Sequence, residues 1–176
     1  MDRADHLRLM AEYNAWMNQR LYDAAAKLGA DELAADRGAF FGSILGTLEH
    51  VVVGDTIWLR RFAEHPSGGP LSPVRDLPQP TALSQIQFGA LAPLRERREF
   101  LDRLIGRWTA SLDDADLDVP LAYRSTRGEA FTKPFGLLCL HVFNHQTHHR
   151  GQATALLSQA GVDVGATDLL LLIAST

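Results

Sequence analysis

The spacing of its apolar residues constrains this chain more than any other feature. Near the N-terminus Leu9, Tyr13, Trp16, Met17, Leu21 and Ala24 follow one another at intervals of mostly three and four. That period gathers them on one face of a helix, whereas a strand would scatter them over both faces. A helix is predicted from about Arg3 to Leu28, with Gly29 as its stop. A second helix is predicted from about Phe40 to Ala63, with Ser43 near its start. The stretch HPSGGPLSPVRDLPQP, residues 65 to 80, is too rich in Pro and Gly for either period and reads as a loop. Loops of such length are often functional. A third helix is expected from Thr81 or Ser84 to about Leu112, kinked or broken at Pro93. In PLAYRSTRGEAFTKP, two short runs flank an Arg-Gly turn and suggest a small β-hairpin. A fourth helix follows from about Pro134 to Gln159, closed by Gly161, and Thr167 could cap a short turn in the tail. The expected fold is all-α. It is a single domain over residues 1–176, a four-helix bundle with a long crossover loop and a small β-hairpin before the last long helix.

Composition removes several function classes. A formal net charge of −4 argues against general nucleic-acid binding, which needs a basic surface. The longest purely apolar run, LLLLIA, falls far short of the ~20 residues that span a bilayer. MDRADHLRLMAEYNAW lacks the apolar core of a secretory signal. Cys139 stands alone, so no intrachain disulfide forms, which suits a reducing compartment. A cytoplasmic protein without membrane or nucleic-acid partners is expected.

Four histidines fall in HVFNHQTHHRGQ, residues 141 to 152. With successive helix residues about 100° apart, His149 sits amid Phe135, Leu138, Val142, Ala153 and Leu156, and His145 lies about 40° away. His141 and His148 fall at the edges, about 80° and 100° off. Two imidazoles one turn apart can reach one divalent ion, and burying two polar rings is costly without partners. The bland alternative, a pair of hydrogen-bonded core histidines, stays open on spacing alone. Zincin chemistry is excluded because Gln146 stands where that motif needs Glu, and no Glu-x-x-His pair exists for a di-iron centre. The best third ligand is His50. It lies on the side of the second helix that carries Ser43, Gly46, Gly54 and Ile57. Those small residues either leave a cavity or permit close helix packing. His6 and His65, near helix ends, are expected to be solvated, and Asp55 to lie at the surface or cap a helix.

The stretches YNAWMNQRL (13–21), SILGTLEHVVVGDTIWLRR (43–61) and FNHQTHHRGQATALLSQAG (143–161) resemble the DinB/YfiT-like family of metal-binding four-helix bundles. The resemblance implies a three-histidine site of His50, His145 and His149, loaded with nickel or zinc, and commonly a homodimer. Glu49 stands where many relatives have Asn, and on the wheel it points away from the site. The wider superfamily includes transferases that use low-molecular-weight thiols. A metal-dependent thiol S-transferase acting on a small molecule is therefore the leading expectation. A hydrolase, or a structural stress-response dimer without turnover, is the alternative. Tyr13 and Trp16 could line the pocket, although a plain core role carries more weight, and Gln152 could bond an imidazole N–H. Leu137, Leu140, Phe143 and the LLLLI tail are compatible with a dimer.

Overall fold

The computed structural model describes residues 2–174. Helix α1 (Arg3–Ala25) begins at a capping box in which the Asp5 carboxylate accepts from the Asp2 amide. It ends three residues before Leu28. Gly29 has φ −69° and caps a short helix α2 (Ala30–Ala34), so it starts an element and is no left-handed stop. Helix α3 runs Ile44–Phe62, later than expected, because Ser43 Oγ accepts from the Gly46 amide and fixes the start there. Phe40 and Phe41 are left in a tight turn that closes through Gly42 at φ +73°.

The Pro- and Gly-rich stretch holds more structure than a bare loop. Residues Gly69–Asp76 form a 3-10 helix that buries Leu71 and Val74. Residues 81–90 make turns, and helix α4 runs Leu91–Ser111. Pro93 is the third residue of α4, where the backbone N–H has no partner within the helix, and so no kink is required. Strands β1 (Pro120–Arg124) and β2 (Ala130–Pro134) form the hairpin, with Tyr123 opposite Phe131 and Gly128 at φ +86° in its turn. Helix α5 (Phe135–Gln159) ends in a Schellman arrangement. Gly161 sits at φ +78°, and the amides of Gly161 and Val162 return to the carbonyls of Ser158 and Leu157. The tail forms a 3-10 turn at Leu169–Leu172, and its cap position falls on Asp168, not Thr167.

The four long helices form a bundle in which α1 packs on α4 and α5, and α3 packs on α5 and α4. Leu21, Ile44, Leu59, Phe62, Leu101, Trp108 and Phe135 fill its centre. The long α3–α4 segment therefore joins neighbours, while the connections through α2 and through the hairpin cross the bundle diagonally. Among the described residues, no helix is long and apolar enough to cross a membrane. Phe143 is buried at 3% exposure and belongs to this core, unlike Leu137 and Leu140, which are 63% and 52% exposed.

Candidate metal centre

The α3–α5 contact brings three histidines to one point. His50 Nε2 lies 3.1 Å from His145 Nε2 and 3.2 Å from His149 Nε2. His50 is buried, and the other two are half-buried. Their nitrogens lie close enough together to hold one ion. His141 and His148 are exposed and outside the cluster.

The surroundings fix which nitrogens face inward. His50 Nδ1–H donates to the Leu83 carbonyl at 2.8 Å, and His149 Nδ1–H donates to Gln152 Oε1 at 2.7 Å. Both acceptors lack a proton, so each ring carries its hydrogen on Nδ1 and turns the Nε2 lone pair to the centre. Gln152 is held in this orientation because its Nε2 donates to His148 Nε2 at 3.3 Å. His145 is positioned by packing. A Cβ on Gly54 would stand 2.8 Å from its Cε1, so the glycine lets the ring approach α3. Phe41 stacks on His50 at 3.8 Å between ring centres, which requires Phe41 to lie outside the helix. Burial pushes His145 down to about 3, aided by the neighbouring histidines, and burial also lowers His50 and His149. Three neutral imidazoles whose Nε2 atoms converge match what a divalent borderline cation requires.

A cavity of about 310 Å³ opens beside His50 and His145, bounded by Gly54, Trp58, Tyr123 and His141. Gly54 serves both purposes, bordering the cavity and admitting His145 of α5 against α3, while Gly46 makes room for the preceding turn, since a Cβ on it would lie 2.2 Å from the Phe41 carbonyl oxygen. Tyr13 and Trp16 lie outside this cavity. Tyr13 is buried and donates to the Thr167 carbonyl at 2.8 Å, and Trp16 packs against Tyr13 and Arg20.

Several polar residues depart from expectation. Glu49 does point away from the histidines, yet it is fully buried and accepts from the amides of Gln87, Phe88 and Gly89 at 3.1, 2.9 and 3.0 Å. It pins the segment whose Leu83 carbonyl orients His50. Asp55 is likewise fully buried, where it accepts from Arg98 and from Gln146 Nε2. Arg98 also contacts Asp102, and Arg150 bonds Asn14 and Gln146, so one polar network ties α1, α3, α4 and α5 together behind the histidines. His65 is 4% exposed, stacks on Phe135 and reaches Ser67 and the Val119 carbonyl. Cys139 is fully buried, and its thiol is pushed up to about 12. This leaves it an apolar filler.

The chain is 28% identical over 158 residues to Protein DinB of Bacillus subtilis (strain 168), covering 89% of this chain and 87% of that one. No solved structure matches. A family model described as "DinB family" matches residues 1–176, and the chain belongs to the DinB family.

Proposed function

We propose that this protein is a metal-dependent enzyme that holds nickel or zinc through His50, His145 and His149 and joins a low-molecular-weight thiol, through its sulfur, to an electrophilic small molecule, the S–H proton passing to solvent or to the group displaced. The observation that carries this reading is a three-imidazole donor set bordered by a cavity. Three protein ligands with space beside them are the pattern of catalytic sites, whereas structural zinc sites close with a fourth protein ligand. An ion there supplies Lewis-acid character that acidifies a thiol or water presented to it. The chain's own residues do the rest. Leu83 and Gln152 aim the rings, burial keeps them neutral, and Phe41 covers His50. We place the protein in the cytoplasm as a homodimer without nucleic-acid contacts. Leu137, Leu140, Leu170, Leu171 and Ile173, all more than half exposed, are available for subunit contact.

Elemental analysis of the native chain and of His50→Ala, His145→Ala, His149→Ala and His148→Ala tests the metal. The first three variants are expected to lose it and His148→Ala to keep it. Metal retained by His149→Ala and lost from His148→Ala would overturn the ligand set. Thiols paired with electrophilic acceptors then test turnover, and a metal-loaded chain inert across the panel would leave a structural dimer as the better reading.

A further inference from the structure

Arg61, in the last turn of α3, differs from the arginines around it. Arg60 donates to the carbonyls of Val74, Arg75 and Leu77. Arg75 bonds the Ala63 carbonyl and pairs with Glu64 at 3.0 Å, and Arg124 bonds the Gly128 carbonyl. Among the described residues, the Arg61 guanidinium has no hydrogen-bond acceptor and no acidic partner. Its Cζ lies 4.6 Å from the Trp58 ring centre and 5.0 Å from that of Tyr123. The guanidinium lies over both rings, and its N–H groups, taken by no acceptor among the described residues, suit a planar pair of oxygens. Half-burial against these rings lowers its pKa, so the charge is held where an anion would relieve it.

Its place in the fold gives this charge a purpose. Arg61 lines the cavity beside His50 and His145 and also lines a second cavity of about 510 Å³ reaching towards Pro80 and Thr81. Among the described residues no carboxylate borders the inner cavity, and the acid of the outer one, Glu64, is engaged by Arg75.

We propose that Arg61 is the anion-recognition residue of this site and that the thiol it accepts carries a carboxylate, seated on Arg61 with its sulfur end towards His50 and His145. The sulfur end rests on the proposed transferase function; the carboxylate end rests on Arg61 alone. Among the described residues Arg61 is the one arginine that borders the inner cavity, so an anion seated there meets one guanidinium, which favours a carboxylate over a phosphate dianion.

Calorimetric titration of the zinc-loaded full chain with 3-mercaptopropionate and with its neutral amide, 3-mercaptopropionamide, tests the assignment. The acid is expected to bind about tenfold more tightly, the scale of one charge-assisted bidentate contact. Arg61→Gln removes that preference and leaves the amide within about twofold of native, and Arg61→Lys recovers only part of it. Equal affinities in the native chain, an undiminished preference in Arg61→Gln, or tighter binding of inorganic phosphate would each overturn the proposal. Circular dichroism and zinc content check that the variants fold. Should Arg61→Gln fail that check, the native acid-to-amide ratio and Arg61→Lys decide. Butanoate against butanamide on the metal-free chain repeats the comparison without sulfur. Failure to bind either zinc or nickel, or sulfur-free ligands binding as well as thiols, refutes the transferase reading and leaves Arg61 to be judged by its acid preference.

Discussion

Glu49→Ala is the most informative single change outside the three clustered histidines. The carboxylate holds three backbone amides, those of Gln87, Phe88 and Gly89, at 2.9 to 3.1 Å. These amides lie near the surface and can turn to water when released, so each bond contributes about 1 kcal/mol net. Losing all three frees the segment before α4 by about 3 kcal/mol, roughly a hundredfold in its opening equilibrium. Glu49→Gln keeps one oxygen for Phe88 and Gly89 and turns an amide group on Gln87, at a cost of about 1 kcal/mol. The assay is hydrogen–deuterium exchange over residues 81–90, with metal affinity measured by competition against a chromophoric chelator. Exchange should quicken about a hundredfold in the Ala variant and less than tenfold in the Gln variant. Because Leu83 in the same segment orients His50, metal affinity should fall at least tenfold in the Ala variant. Unchanged protection of amides 87–89 in Glu49→Ala, or equal effects of Ala and Gln, would refute the reasoning.

Gly54→Ala should displace His145 and weaken metal binding more than tenfold while the thermal midpoint of the metal-free chain moves little, because its Cβ meets the ring at 2.8 Å. In Gln152→Ala the His149 Nδ1 proton loses its acceptor, and chelator competition should show a tenfold to hundredfold weaker site, as is usual for such supporting groups. Asp55→Ala leaves the buried Arg98 with Asp102 as its remaining carboxylate; urea denaturation should show a loss of about 3 kcal/mol, and less than 1 kcal/mol would refute a buried pair. Burial depresses the histidines of the folded site, His145 to about 3, so the unfolded chain binds more protons below its ordinary value of 6.5. Metal-free protein should therefore hold this stability above pH 6.5 and lose it as the pH falls towards 3; a flat denaturation profile across that window would contradict the shifts.

The histidine pair on α5 is legible because it combines two independent signals, helical spacing and an apolar face. The helix wheel correctly turns Glu49 and Asp55 away from His50 but is silent about what lies on the other side. Both residues meet partners about forty positions further along the chain, the amides of 87–89 and Arg98, and only tertiary packing supplies those. His65 fails for the same reason: a polar residue at a helix end looks solvated until the β1 entry, with its Val119 carbonyl, covers it. The late start of α3 did have a local signal in Ser43, whose cap ejects Phe41 from the helix and frees it to stack on His50. Pro93 shows the converse error, since the harm of a proline depends on its distance from the helix start, and that start is set by the turns Glu49 holds.

The separation of the three clustered histidines along the chain has a consequence for folding. His50 and His149 stand 99 positions apart, and Cys139 has no partner with which to staple them. An ion gripping both would close a loop of about a hundred residues, a role that secreted proteins of this size give to a disulfide. Unlike a disulfide, this tie is reversible and set by supply. Free metal at a thousandfold excess over its dissociation constant would add about 4 kcal/mol to the folded state, and chelation would remove it. The melting temperature of the chain would then rise and fall with the available metal, making the fold itself a gauge of that concentration.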